Sequence, residues 1–351
     1  MMEYRLLGRS GLRVSELALG TMTFGEEWGW GASKDESRRM FDMFAERGGN
    51  FIDTANRYTE GTSETFVGEF VAKERERFVV ATKYTLKMRD GDPNAAGNHR
   101  KNLTHSLDAS LKRLKLDYID LYWLHAWDYL TPVDEIMRAL DDAVSAGKVL
   151  YTGISDTPAW IVSQANTIAT LRGWTPFVGL QIEYSLIERT VERELVPMAR
   201  ALGLGIAAWA PIGGGILSGK YQGSDATTKD GEKGRIASGS PKLNEHNMKV
   251  VTVVGEIARE AGRTHSQIAI NWLRQQPGVV IPLIGARKAS QFEDNLGCLD
   301  FRLSPNQMTR LDQVSSVARG FPHDFLKGDL ITDIVYAGTL DRIKDRPEPF
   351  R

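Results

Sequence analysis

The chain has 351 residues, with 44 Lys and Arg against 45 Asp and Glu, so its formal net charge is −1. That balance offers no basic field to nucleic acid and no polybasic run to an anionic membrane, and no apolar stretch approaches the ~20 residues a membrane helix needs. The first residues, MMEYRLLGRSGL, lack the apolar core of a signal peptide, and the one cysteine, Cys298, cannot form an internal disulfide, so a cytoplasmic protein is expected.

The first segment reads as a hairpin, YRLL and LRV around the turn GRSG. Apolar strands then alternate with amphipathic helices. ELALG is a strand, and DESRRMFDMFAERGG is a helix with Met40, Phe41 and Phe44 on one face and a glycine stop. FIDT, FVVATKY and YIDLYWLHA are strands, separated by the helices SETFVGEFVA and NHRKNLTHSLDASLKRL. The latter spaces Leu103, Leu107, Leu111 and Leu114 at helical intervals. TPVDEIMRALDDAVSAG, PAWIVSQANTIATL and VERELVPMARALG are helices that alternate with the strands VLYTGIS, FVGLQIEY and LGIAAWAP. After a long polar loop from about Gly213 to Lys249 come the helices MKVVTVVGEIAREAG and HSQIAINWLRQQ, then the strand GVVIPLIG. ASQFEDNLGCL and SPNQMTRLDQVS are further helices. Cys298 lies just past the first of these and is expected to pack. The tail from Val317 to Arg351 reads as irregular.

Eight strands followed by helices, apolar enough to be buried on both faces, predict a closed (β/α)8 TIM barrel within a single domain over 1–351, the barrel itself spanning about 15–316. A doubly wound open sheet is the alternative, but no GxGxxG follows the first strand as that fold usually requires.

In such a barrel the active site lies at the C-terminal ends of the strands. There the sequence delivers Asp53, Lys83 and His125 from three successive strands, with Tyr58 in the loop after Asp53. The four make chemical sense together. A phenol near pKa ~10 is a weak acid at neutral pH; a buried Lys beside it lowers that value, and a carboxylate keeps the Lys charged. His125 can hydrogen-bond the oxygen that Tyr58 protonates. No third ligand stands at a metal-binding spacing beside Asp53 and His125, so no metal is expected.

The motifs RLLGRSGLRVSELALGT, NFIDTANRY, LKRLKLDYIDLYWLH, GKVLYTGIS, QIEYSLIER and IGARKASQFEDN resemble the aldo-keto reductase family over nearly the whole chain. The likeness is to its bacterial NADPH-dependent aldehyde and ketone reductases, and also to its potassium-channel β-subunit branch. It implies a barrel that binds NADP(H) without a Rossmann domain and reduces a small carbonyl compound, with Asp53, Tyr58, Lys83 and His125 as the catalytic set. By the same resemblance Gly20, Thr21 and Met22 lie near the nicotinamide, Ser155, Asp156 and Gln181 hold its carboxamide, and Trp209 stacks on its ring. Ile212, Gly213, Gly214 and Gly215 approach the pyrophosphate, and Ala210, Pro211 and Lys220 also belong to the cofactor site. Gly285, Arg287, Gln291, Asp294 and Asn295 hold the adenosine end, with Arg287 on the 2′-phosphate. Asp156 departs from the Asn found in many relatives and can accept but not donate. The substrate pocket is expected from Trp28, Trp30, Tyr58, His125, Trp127 and Phe321, with Phe325 nearby. Carbonyl reduction is the main reading; a nicotinamide-binding regulatory or scaffold subunit is the alternative. A homo-oligomer is left open.

Overall fold

A computed structural model describes residues 2–221, 236 and 239–344. Eight parallel strands close into a barrel in sequential order: β3 (Ala18–Gly20), β4 (Phe51–Asp53), β5 (Val79–Tyr84), β6 (Ile119–Leu124), β7 (Val149–Ser155), β8 (Phe177–Glu183), β9 (Gly205–Trp209) and β10 (Val280–Ile284), which pairs back onto β3. The fold is the (β/α)8 barrel that the alternation implies. β4, β5, β6 and β10 are buried along their whole length. Runs of Val, Ile, Leu and Ala at these positions suit strands covered on both faces.

Helices wrap the outside because each carries one apolar stripe. In α4 (Val133–Ser145) the buried residues Val133, Ile136, Met137, Leu140 and Ala143 fall three or four apart. Each large one contributes about 1.5–3 kcal/mol when fully removed from water. Helix starts follow local chemistry. Thr264 and Gln267 form a reciprocal capping box at α8 (His265–Arg274), and Ser304 and Gln307 form another at α10 (Pro305–Val314), with Pro305 in its first turn.

The barrel interior is filled, not hollow. Leu7, Val14, Phe51, Val79, Leu121, Trp123 and Ile281 pack there with Ala18, Ala81 and Ala207. Trp123 needs room from β7 and β8, and glycines supply it: a Cβ on Gly153 would come within 2.3 Å of the indole, and one on Gly179 within 2.8 Å. The antiparallel hairpin of β1 (Tyr4–Leu6) and β2 (Arg13–Ser15) covers the N-terminal end of the barrel. It is tied there by Arg9 N to Gly203 O at 2.8 Å and by Ser15 N to Asn50 Oδ1 at 2.7 Å.

Two segments differ from the sequence expectation. The tail is not wholly irregular: α11 (His323–Leu326) and α12 (Asp329–Tyr336) lie within it, with no residue of either buried. The long loop is shorter than expected. Its start, Gly213–Ser218, is a 3-10 turn, and α7 (Glu245–Ala261) begins before Met248, capped by Asn244. Most of the loop between them lies outside the described residues. Cys298 packs as expected: it is fully buried, and burial pushes its thiol up to about 12.

Candidate active site

Asp53 is the last residue of β4, Lys83 is next to last in β5, and His125 immediately follows β6. These three adjacent strands bring them to one rim. Asp53 and Lys83 are fully buried, 1% and 0% exposed. The Lys83 ammonium contacts the Asp53 carboxylate through Oδ2, donates to Thr54 O at 2.8 Å and donates to the Tyr58 hydroxyl at 3.1 Å. Gln181, in the C-terminal half of β8, donates from Nε2 to Asp53 Oδ1 at 2.9 Å. The Tyr58 and His125 rings meet edge to face, 5.9 Å apart.

Tyr58 is held in place by an unusual stretch of backbone. Thr59, Glu60 and Gly61 are all left-handed, with φ of +46°, +55° and +98°. A β-branched residue there is costly. Two side-chain bonds hold it: Thr59 Oγ1 donates to Phe24 O at 2.6 Å and accepts from Ser63 N at 3.2 Å. The sharp reversal turns the chain from Tyr58 straight into α2 (Thr62–Val71).

The electrostatics follow from burial opposed by pairing. Burial lifts Asp53 above the usual carboxylate range, against the attraction of Lys83. Burial is the largest single influence on Lys83 and pulls its pKa down, but the charges and hydrogen bonds of Asp53 and Tyr58 together outweigh it and hold the ammonium charged. His125 is pushed well below its ordinary 6.5 by burial and by Lys83, so it is neutral at pH 7. A neutral imidazole donates from one nitrogen and accepts at the other. Its Nδ1 is buried without a hydrogen-bond partner among the described residues. Tyr58 departs from expectation. Burial holds its phenol above the ordinary 10.0, and Lys83 only partly offsets this, because Asp53 opposes the ammonium's pull.

A cavity of about 1440 Å³ opens over this rim. That exceeds the ~300–1,000 Å³ of a typical drug-sized pocket, and fits an extended ligand plus a second molecule. Asp53, Tyr58 and His125 line it, while Lys83 lies behind them. Gly20, Thr21, Met22, Ser155, Asp156, Gln181 and Trp209 are in its wall, as are Ala210, Pro211, Ile212, Gly214, Gly215 and Lys220. So are Gly285, Arg287, Gln291, Asp294 and Asn295, and on the other side Trp28 and Trp30, whose rings are 5.6 Å apart. Gly213, Trp127 and Phe321 are not in the wall. Trp127 packs against the core and Tyr129, and Phe321 stands in the open, 85% exposed, beside Phe325.

The fold also recruits residues that sequence reading passed over. Arg57 and Leu86 join the Trp28 side of the wall. Glu60, paired with Arg57, accepts from Trp28 Nε1 at 3.1 Å, which ties the first strand's loop to the Tyr58 loop. Glu36, in α1 (Lys34–Glu46), accepts from Ala289 N at 2.6 Å, the first amide of α9 (Ala289–Leu296). No acid precedes α9 in sequence, yet one reaches its N-terminus in space. Asp156 accepts from the Trp209 indole at 3.1 Å, a partner its position alone does not suggest. No group of three or more His, Cys, Asp or Glu among the described residues could hold a metal ion, and no described helix is long and apolar enough to cross a membrane.

The model of the Aldo/keto reductase family matches residues 16–316. An aryl-alcohol dehydrogenase (NADP(+)) of Phanerodontia chrysosporium is 38% identical over 336 residues, 91% of this chain and 87% of that one. A norsolorinic acid reductase of Aspergillus flavus is 38% identical over 334 residues, 92% of this chain and 84% of that one. Another, of Emericella nidulans, is 36% identical over 359 residues, 97% and 90% of the two chains. These relatives are fungal, where the sequence reading looked to bacterial reductases.

Proposed function

The chain belongs to the aldo/keto reductase family and is an oxidoreductase, and on that premise we propose that it reduces an aryl aldehyde or ketone with NADPH, the proton coming from Tyr58. The observation that carries this reading is the buried chain of contacts from Asp53 through Lys83 to the Tyr58 hydroxyl, which opens onto the cavity.

The residues present fit a nicotinamide dinucleotide. Ser155 Oγ is buried on the cavity wall with no hydrogen-bond partner among the described residues, the donor that a carboxamide would satisfy. Gly213, Gly214 and Gly215 have φ of +57°, +66° and +98°, a backbone only glycine adopts freely, and two of them line the cavity where a pyrophosphate could approach. In this reading Ser155, Gln181 and Trp209 hold the nicotinamide, Arg287 the 2′-phosphate, and Gln291 and Asn295 the adenosine. NADP over NAD is supported by Arg287, whose guanidinium suits a phosphate, and by the cofactor in the name of one relative.

Bound NADPH supplies the hydride. This chain supplies the rest. Tyr58 O–H and a neutral His125 N–H point hydrogen bonds at the carbonyl oxygen, so negative charge that develops there is met by two donors. Tyr58 then gives its proton, and Lys83 stabilises the phenolate left behind. Asp53 keeps Lys83 charged through the cycle. Trp28 and Trp30 offer flat apolar walls to an aromatic substrate, in keeping with the aryl alcohols of one relative's name.

The test is consumption of NADPH, followed by loss of its near-ultraviolet absorbance, with a panel of benzaldehydes, aryl ketones and aliphatic aldehydes. Turnover that favours the aromatic members supports the reading. NADPH bound tightly but oxidised by no member of the panel overturns it.

A further inference from the structure

Asp156 stands one residue beyond the end of β7, in the left-handed region with φ of +43°. Its backbone is fixed from both sides: its amide donates to Gln181 O at 3.2 Å, and its carbonyl accepts from Trp127 N at 3.4 Å. Its side chain is fixed as well, because Oδ1 accepts from Trp209 Nε1 at 3.1 Å. Both side chains belong to the cavity wall, next to Ser155 and Gln181.

Among the described residues, the charged groups around this end of the cavity are paired, except Asp156. Asp53 and Lys83 form a buried ion pair. Glu183, the acid nearest along β8, is paired with Lys242, and Arg57 across the cavity is paired with Glu60. His125 is neutral at pH 7. The hydrogen-bond partner of Asp156 is an uncharged N–H, which orients the carboxylate without neutralising it. Asp156 is exposed at the cavity surface, so solvent reaches its carboxylate. The protein around it raises its pKa, with the Trp209 bond and Lys83 pulling the other way.

We propose that Asp156 is a fixed negative charge at the nicotinamide end of the cavity, and that it shifts the protein's cofactor preference toward the oxidised form. This rests on the assignment of Ser155, Gln181 and Trp209 to the nicotinamide. The oxidised ring carries a positive charge and the reduced ring carries none. The phosphates, riboses and adenine are the same in both forms, so their contacts cancel in the ratio of the two dissociation constants. That ratio isolates the ring and whatever charge lies beside it. One carboxylate acting across a partly solvated cavity should change it by roughly three- to tenfold. The consequence for turnover is that spent cofactor competes with fresh NADPH better than it would without this charge.

The experiment measures Kd for NADP+ and for NADPH by quenching of protein fluorescence, in the unaltered protein and in Asp156→Asn. Asn keeps an acceptor for the Trp209 indole and tolerates the left-handed backbone, so the substitution removes charge and little else. The preference for NADP+ over NADPH should fall roughly three- to tenfold, chiefly by weakening of NADP+. Asp156→Ser, neutral and differently shaped, should produce the same fall. An unchanged ratio in both variants, with both nucleotides still bound, overturns the inference, and equal weakening of the two forms does so as well. An unaltered protein that binds neither nucleotide overturns the cofactor assignment itself, which is a different failure.

Discussion

Gln181 and Asp53 lie 128 positions apart in the chain, yet Gln181 Nε2 donates to Asp53 Oδ1 at 2.9 Å. β4 and β8 stand on opposite sides of the ring, so this bond crosses the mouth of the barrel. With Lys83 on one oxygen and Gln181 on the other, the buried carboxylate is satisfied from both sides. Gln181→Met keeps the bulk but removes the donor. A buried charged acceptor left short of a partner should cost about 1–3 kcal/mol. Urea denaturation should report that loss, with circular dichroism unchanged in native conditions. A variant as stable as the parent would mean that the bond contributes nothing.

Tyr58→Phe removes the hydroxyl that Lys83 contacts but keeps the ring packed against His125. The expected result is a fall in kcat of at least ~10²-fold, the low end for a positioned acid, with NADPH affinity nearly unchanged. Steady-state kinetics paired with a cofactor titration separates the two effects. Retention of most activity would remove Tyr58 from the chemistry.

Arg287→Ala and Glu36→Gln should move NADPH affinity in opposite directions. Losing a bidentate guanidinium contact is worth on the order of 2–3 kcal/mol, so Arg287→Ala should weaken NADPH by roughly 30- to 150-fold and leave NADH almost untouched. Glu36, ion-paired with Arg39, occupies the first amide of α9 that an incoming phosphate would otherwise claim. Glu36→Gln should tighten NADPH by roughly two- to fivefold, the scale of a charge at a helix terminus. Titration of both variants with both nucleotides decides the matter, and equal responses to NADPH and NADH would show that neither residue reads the 2′-phosphate.

Acid should destabilise the protein through His125. In the unfolded chain the imidazole takes up a proton near its ordinary 6.5, whereas in the folded protein burial and Lys83 keep it neutral well below that. As pH falls through 6.5 the unfolded state therefore binds the proton first, and stability drops by at most about 1.4 kcal/mol per pH unit from this group. His125→Gln cannot titrate, so its melting temperature should fall less between neutral and mildly acidic pH. Parallel melting curves for the two proteins across that range would exclude the effect.

Strand ends were the most legible part of this sequence. A run such as FVVATK or YIDLYWLH has one periodicity, and its last polar residue has one direction to face, so Lys83 and His125 could be set on the same rim as Asp53 from order alone. The tail helix was less legible, although Leu330, Ile331 and Ile334 follow Gly328 at helical spacing. Its apolar side chains are largely exposed, and an element without a buried face has no contrast between sides to betray it.

What lay beyond reading were contacts between distant segments. Nothing near Arg287 signals that Glu36, some 250 residues earlier, will cap the neighbouring helix. Nothing in the segment GISDT ties Asp156 to the indole of Trp209, which arrives from β9. The direction of the Tyr58 shift failed for a related reason. The Lys83–Asp53 pair is legible from strand order, but the burial of the phenol itself is not, and that burial is the largest influence on it.

The hairpin at the N-terminal end of the barrel sits on the opposite side of the Trp123 layer from Tyr58 and the cavity. Fluorescent proteins, affinity handles or whole enzymes joined ahead of Met2 would therefore hang from the face that substrate never crosses. Immobilisation through that end would leave the mouth facing the solution, whereas attachment through the tail would crowd the side where Phe321 and Phe325 stand exposed.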